Sequence, residues 1–499
     1  DMNIADDVGI FKFDILGQRG LAKIKDALQI IKENNPDAPE IDITDIESFK
    51  NDININNLLK SGGAIGAYYV ESPAMRGLMQ ELQTQDYLGL VAASSIIRPG
   101  VSGSGMKEEF IKRHRFPEKR KEAHPILLEI MPETYGVMVY QEDVMKVANQ
   151  FADLSLGEAD VLRRGMSGKY RSVEEFKAVE DKFVSNCRKK GHADPLIFEV
   201  WNQIKSFAGY AFAKGHSASY AVESYQSLFL KCYYPIEFMT AVLNNGGGFY
   251  SAAHYIHEAK MCGATITLPC INNGDHGNTV KGKTIYLGFG YLKNLESLLV
   301  QRFLTERQLS GLFLSMDDFI ARVAISIEQL TVLIRIDAFR FTNKQKTTLL
   351  WEATFKLNTT KSKQTQPQVK LFQLQQQNFE IPKLHTQWLE NVYDEMELLG
   401  FTIHNYFSLV TDPIHPHIKA KQMSEFSNKK VVLYGQLVAT RFNKTSQGKL
   451  MRLSTFIDAE GQYFDAVHFT DVVQQYPING MGIYGCYGTI TNRFGFCSM

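Results

Sequence analysis

Two rhythms of apolar and polar residues alternate along this chain, and each predicts a different kind of element. In "FKFDILG" (11–17) the period is two, with Phe11, Phe13 and Ile15 on one face and Lys12 and Asp14 on the other. That pattern predicts a short half-buried strand ending at Gly17. From about Leu21 to Glu33 the spacing becomes that of an amphipathic helix. A polar, Asn/Asp-rich connection is expected from Asn34 to about Ser61. Helical periodicity then dominates to about Thr267, interrupted by short Gly/Pro loops; 143–148 and 228–233 are clear samples. Short strands are expected around Lys283–Phe289, followed by more helix to about residue 356. Residues 358–387 are glutamine-rich and lack any core period, which marks a linker. Beyond residue 428 the period returns to two, in "KVVLYGQLVATRF", "KLMRLSTFID", "YFDAVHF" and "IYGCYGTIT". Turns at 446–448 and 460–461 separate these runs, and together they predict a small β-barrel.

Composition narrows the class. A chain of 499 residues exceeds the roughly 250–300 that one core supports, so several domains are expected. Its 44% hydrophobic and 22% charged residues are ordinary for a globular protein. Net charge is zero, so any contact with nucleic acid must come from local clusters. The six cysteines form no CxxC pair, which argues against a disulfide framework or structural zinc and for a reducing compartment. With no signal peptide and no apolar run long enough to span a bilayer, the expectation is a cytoplasmic protein without a membrane partner. The first residue, Asp1 rather than methionine, points to a piece of something longer.

Several stretches carry candidate chemistry. In "GYAFAKGHSASYAVESYQSLFLKCYYP", Ala221, Val222, Tyr225, Leu228, Phe229 and Cys232 form an apolar stripe, with Ser217 as the expected N-cap. Lys214 and His216 stand just before it, so free N–H groups, the positive dipole end and two basic side chains would make an anion site. The competing reading is a capped helix with a solvated lysine and histidine. Arg163 and Arg164 precede a Gly/Ser loop bearing Lys169, a combination suited to a polyphosphate or simply to a helix C-terminus. Arg98 lies in the Pro/Gly/Ser turn "SSIIRPGVSGSGM". The run 107–124 holds seven Lys/Arg against four Glu and reads best as a solvated face. His254 and His257 lack further ligands in sequence and read as ordinary helix residues. Gln368, Leu371 and Phe372 form a short motif whose apolar pair is odd for a pure tether; such anchors dock into a partner's pocket.

Taken in order, these stretches resemble the bacterial DNA polymerase III alpha subunit, the family C replicative polymerase. "GIFKFDILGQRGL" (9–21) is similar to that family's palm strand bearing its third catalytic aspartate. "ESPAMRGLM" (71–79), "SIIRPGVSGSGM" (95–106), "ETYGVMVYQEDVM" (133–145), "LSLGEADVLRRGM" (154–166) and "FAGYAFAKGHSASYA" (207–221) are similar to its fingers motifs. "FLSMDDFIARV" (313–323) and "LIRIDAF" (333–339) look like its helix-hairpin-helix region, and the tail looks like its OB-fold.

The resemblance implies a multidomain α+β protein: the C-terminal edge of a palm over 1–60 and mostly helical fingers over 61–267. A clamp-binding region with helix-hairpin-helix follows over 268–357, then a linker with the clamp motif over 358–387. A connecting segment spans 388–427, and an OB-fold β-barrel spans 428–499. It implies two-metal nucleotidyl transfer, in which carboxylates hold two Mg²⁺ ions about 4 Å apart. Asp14 would be one metal ligand and catalytic carboxylate, its two partner aspartates lying outside this chain, so the isolated chain is expected to be inactive. Lys12, Arg98, Arg163, Arg164, Lys169, Lys214, His216 and Ser217 would contact the dNTP or primer phosphates. Gln368, Leu371 and Phe372 would bind a sliding clamp, and Arg441, Phe442 and Lys444 would grip single-stranded template. Primer–template DNA and other holoenzyme subunits complete the implied partners. One departure stands out: "YLKNLESL" (291–298) puts Asn294, Leu295 and Glu296 where that hairpin usually has glycines, against phosphate binding there. The alternative is a non-catalytic DNA- or clamp-binding scaffold.

Overall fold

The computed structural model describes residues 8–9, 19–98, 105–166, 173–206, 213–361, 387–412, 414–444 and 448–499. The strand expected over 11–17, and with it Lys12 and Asp14, lies outside the described residues, as do Lys169 and the motif Gln368, Leu371 and Phe372.

The first helix, Arg19–Asn34, buries Ile24, Ala27 and Ile31, the stripe its period demands. These share a core with Phe238 and Val242 of the helix Pro235–Asn245. The connection expected to be irregular from Asn34 to Ser61 holds two short helices, Ile46–Asn51 and Ile53–Lys60. The acidic residues that suggested a loop serve as caps instead. Asp45 accepts from the Ser48 N–H at 3.2 Å, and Asp52 from those of Asn54 and Ile55 at 2.8 and 3.0 Å. Phe49, Ile55 and Leu59 then bury the apolar side. Ser72 caps Pro73–Leu82 and Asp86 caps Tyr87–Ile96 in the same way.

The longest helix among the described residues, Lys214–Tyr233, faces two cores. Ala221, Tyr225 and Leu228 belong to the core built from residues between Phe49 and Ile204. Leu230 belongs to the next, with Phe238, Phe303 and Leu333. The two cores therefore meet along this helix, and the second also takes in Ile24, Ala27, Ile31 and Ile65 from the start of the chain.

After it come β1 (Thr265–Thr267), β2 (Thr279–Lys281) and β3 (Thr284–Tyr286), ordered β1-β3-β2 with β1 and β3 parallel. The helices Ser297–Ser310, Met316–Arg322, Ile327–Arg335 and Lys346–Lys361 complete this part.

The tail forms β4 (Lys430–Lys444), β5 (Leu450–Ile457), β6 (Tyr463–His468) and β7 (Ile483–Thr489), an antiparallel sheet ordered β6-β5-β4-β7. A register shift between Leu437 and Ala439 bends β4, as bulges do. β8 (Thr491–Arg493) and β9 (Phe496–Ser498) make a ribbon that continues from β7. The Val467 N–H donates to the Met499 carbonyl at 2.8 Å, and the Met499 N–H donates to the Asp465 carbonyl at 2.9 Å. The ribbon thus reaches from β7 back to β6, and the sheet curls around Leu433, Leu437, Phe456, Phe464 and Cys486.

This curled sheet is fastened to the helices. The Arg76 guanidinium donates to the Gly62 carbonyl at 2.7 Å and to the Tyr250 hydroxyl at 3.2 Å, and lies 4.6 Å from the Tyr463 ring centre. Arg493 pairs with Glu108 at 2.8 Å, and the Phe496 ring sits beside Gly77. A cleft of about 200 Å³ between the two is lined by Arg76, Gln80, Ser424 and Asp465, among others. All six cysteines are free thiols. No helix among the described residues is long and apolar enough to cross a membrane.

Candidate functional site

Two stretches more than a hundred residues apart meet at the start of Lys214–Tyr233. The buried hydroxyls of Ser95 and Ser217 are 2.7 Å apart, and the Tyr87 hydroxyl donates to the Ala218 carbonyl at 2.7 Å. The helix Tyr87–Ile96 therefore delivers Arg98, two residues past its end, to the first turns of the longer helix. Arg98 Nη2 donates to the Tyr69 hydroxyl at 2.9 Å. The Tyr69 ring centre is 4.9 Å from that of Tyr220, which in turn lies 6.5 Å from the His216 ring at an interplanar angle of 22°. Tyr68 packs 6.1 Å from Tyr69 and 5.9 Å from Tyr220. Arg98, His216 and Ser217, three residues singled out from sequence, are thereby gathered in one place.

Tyr69 joins them and was missed. The pair Tyr68-Tyr69 directly before "VES" was the available signal, because adjacent aromatics at a helix entry are unusual for a solvated loop. Beneath the pair, buried Glu71 accepts from the N–H groups of Gly66 and Phe249 at 2.9 and 2.7 Å and from the Tyr255 hydroxyl at 2.9 Å. Lys23 and Glu223 are buried alongside. Burial lowers the Lys23 pKa, with Glu71 opposing it, and raises that of Glu223 to about 7 against the pull of Lys23. The Tyr68 phenol is pushed up to about 12 by burial and by Glu223.

Ser217 does not cap the helix. The helix begins at Lys214 with Ala213 at the cap position, so Ser217 lies inside the first turn, buried against Ser95. The capping is done from another helix: the Lys214 N–H donates to both Glu142 carboxylate oxygens, at 3.1 and 3.0 Å. The Lys214 ammonium pairs with Glu133 and lies 5.4 Å from the Tyr140 ring centre. Glu133 is held below the usual carboxylate range by that bond from Lys214. The sequence pattern S/T before an apolar stripe suggested a cap, but a carboxylate from far along the chain took the role.

Arg163 pairs with Asp160 one turn earlier at 2.7 Å, on the helix Leu156–Met166, and the Arg164 side chain lies outside the described residues. The basic run 107–124 is laced by its own acids, with Lys112 and Lys119 both on Glu122 at 2.6 and 2.8 Å and Arg113 on Glu109 at 3.2 Å. His254 is buried, bonds Ser251 at 2.7 Å, and has its pKa lowered to about 4 by burial. No group of three or more His, Cys, Asp or Glu able to hold a metal stands among the described residues.

Two further places hold residues that the sequence led us to expect near nucleic acid. At the far end of β4, Arg441, Phe442 and Lys444 are exposed, and the Arg452 guanidinium lies 4.4 Å from the Phe442 ring centre across the strand pair. An exposed ring backed by a guanidinium is a stacking platform. In the first hairpin, Asn294 takes the left-handed conformation at φ 65°. The Glu296 N–H donates to Gln329 Oε1 at 2.9 Å, and Gln329 Nε2 donates to the Asn294 carbonyl at 2.8 Å. The amide that would meet a phosphate there is already taken from within the chain.

A cation, a cluster of aromatic rings and a helix start together suit a ligand that is anionic at one end and flat at the other.

Residues 20–191 match the family described as the bacterial DNA polymerase III alpha subunit finger domain, and residues 263–349 match a helix-hairpin-helix motif. The chain is similar to proteins named DNA polymerase III subunit alpha. One from Aquifex aeolicus (strain VF5) is 29% identical over 484 residues, covering 95% of this chain and 40% of that protein. One from Borreliella burgdorferi is 33% identical over 323 residues, covering 64% of this chain and 27% of that protein. One from Staphylococcus aureus (strain COL) is 33% identical over 358 residues, covering 70% and 32% respectively. The chain spans less than half the length of these relatives.

Proposed function

We propose that this chain, which belongs to the bacterial DNA polymerase III alpha-subunit family, is the nucleotide- and template-handling part of a replicative, DNA-templated DNA polymerase. The observation that carries this reading is the meeting of Arg98 with Tyr69, Tyr220 and the first turns of Lys214–Tyr233. A dNTP is anionic at the triphosphate and flat at the base. A guanidinium pairs with phosphate oxygens in its fork geometry, and the neighbouring rings offer a face to the sugar or base. His216 lies beside Tyr220 in the same ring cluster, while Arg163, Arg164 and Lys169 are a second cationic group for the triphosphate. Lys214 is the weakest of the set, since both its N–H and its ammonium are engaged by carboxylates.

The cofactor class implied is a divalent metal, Mg²⁺ in the two-ion form, which would supply charge neutralisation at the transferred phosphoryl group. Asp14 and Lys12, the residues assigned beside it, lie outside the described residues. The described residues serve to bind and orient.

The tail reads as an OB-fold. Its support is the ring of neighbours β4, β5, β6, β9 and the continuous β7–β8, with the short helix Thr470–Gln475 between β6 and β7. Arg441, Phe442 and Lys444 would then hold single-stranded template. A sliding clamp is the partner assigned to Gln368, Leu371 and Phe372, and other holoenzyme subunits would join it. Tethering to a clamp raises the local concentration of template without tighter DNA contacts. Capture of the chain on immobilised clamp should disappear in the double variant Leu371→Ala, Phe372→Ala; undiminished capture removes the clamp from the account.

The central test is equilibrium binding of dATP with Mg²⁺ to the 499-residue chain. Arg98→Ala should weaken it by about tenfold or more, the loss of a hydrogen bond to a charged group. A non-catalytic scaffold predicts that the chain binds dATP no better than deoxyadenosine, and that result would sink the polymerase reading.

A further inference from the structure

The Val70 N–H donates to the Tyr68 carbonyl at 2.9 Å, two residues back, and Tyr69 between them has φ 67°. This is a γ-turn of the positive-φ kind, which is rare and strained. It is centred on one of the bulkiest side chains, and an L-residue pays for that conformation through its Cβ. Such strain persists only where the surroundings over-determine it. Here they do: the Tyr68 carbonyl also accepts from the Ser224 hydroxyl at 3.0 Å, and Glu71 ties the next turn to Gly66, Phe249 and Tyr255. The fold holds Tyr69 against its backbone preference, and what it gains is the placement of one phenol. That phenol accepts from Arg98 on one side and lies against Tyr220, and through it His216, on the other.

We propose that Tyr69 is a positioning residue for the nucleotide site, its hydroxyl aiming the Arg98 guanidinium at the phosphates and its ring setting Tyr220 and His216. This inference rests on the nucleotide reading above and names the residue that fixes the site's geometry. A free arginine samples many rotamers; one held through Nη2 by a rigid phenol loses less freedom on binding an anion.

Two variants of the full chain separate positioning from mere packing. Tyr69→Phe keeps the ring and deletes the hydroxyl. Tyr69→Gly keeps the turn, since glycine adopts φ near 67° without cost, and deletes both functions. Binding of dATP, dAMP and deoxyadenosine, each with Mg²⁺, is measured alongside thermal unfolding. Tyr69→Phe should weaken dATP by about tenfold, leave deoxyadenosine unchanged, and leave the melting temperature within about 2 °C of wild type. Tyr69→Gly should weaken all three ligands without a matching fall in stability. If wild type binds dATP selectively and both variants match it, the positioning role is wrong and the nucleotide site stands. If both variants lose stability and every ligand in parallel, Tyr69 is structural and the proposal falls. If wild type shows no preference for dATP, the nucleotide reading falls and takes this proposal with it.

Discussion

Glu223 illustrates how a single side chain can report on this site. It is 8% exposed, and its Oε1 lacks a hydrogen-bond partner among the described residues. Burial raises its pKa to about 7, so the folded chain binds this proton more tightly than the unfolded one. Between the ordinary carboxylate value and about 7, the native state therefore holds more protons, and stability falls as pH rises through that window. We expect Glu223 itself to contribute a drop of about 2–3 kcal/mol in unfolding free energy from pH 5 to pH 8. His254 opposes it in the wild type, because its lowered pKa makes stability rise over the same window. The contribution is read as the wild-type change minus that of Glu223→Gln. Urea titrations of both proteins at those two pH values check it; equal slopes would mean that Glu223 ionises freely in the native state. Gly20 belongs to the same spot, because a Cβ there would run into Glu223 Oε1 and the Tyr68 ring. At this scale the sequence was partly legible. Arg98, His216 and Ser217 could be picked out by residue type and neighbours, and Tyr69 left a signal in the adjacent Tyr68-Tyr69 pair, but Glu71 and Glu223 left none. Their roles depend on burial and on partners up to 184 residues away, and neither is written locally.

Among elements, those with a strong local period were read well. The strands β4 to β7 follow the alternation from which they were expected, and Arg19–Asn34 follows its apolar stripe. The misread ones turned on capping. Two short helices hid in an Asn/Asp-rich stretch because aspartate serves both loops and N-caps, and only the tertiary burial of Phe49, Ile55 and Leu59 decides between them. The cap of Lys214–Tyr233 is expected four residues late, at Ser217 rather than Ala213, because the capping carboxylate, Glu142, comes from 72 residues upstream. Within β4, Gly435 marks a close approach: an added Cβ would lie 2.6 Å from Phe456 Cβ and 2.7 Å from the Phe464 ring. Those two rings stack at 5.3 Å inside the curled sheet and have little room to move. Gly435→Ala should accordingly cost about 1–3 kcal/mol, read as a lower urea midpoint, with the sheet intact by circular dichroism. A wild-type midpoint would show that the two rings can shift apart. The first hairpin makes the opposite point, since Asn294 accepts the left-handed conformation a glycine would take and Gln329 then closes the turn.

For the molecule as a whole, the broad α+β organisation followed from the change of period, while the partition of the cores did not. Helix Lys214–Tyr233 serves two cores at once, and no composition shift marks a helix that is shared. The family matches cover residues 20–191 and 263–349 of the two helical parts and leave the shared helix outside both. What ties them to the tail is Arg76, whose guanidinium bonds Gly62 and Tyr250 and lies over Tyr463 of β6. It sits five residues beyond Glu71 and seven beyond Tyr69. One short run of chain therefore answers to the Tyr69–Arg98 cluster at one end and to the sheet at the other. The tail is thus no bead on a string: grafting in a foreign module would strip the Tyr463 ring from Arg76 and the Arg493 partner from Glu108, and domain shuffling at this seam demands that both faces be recut together.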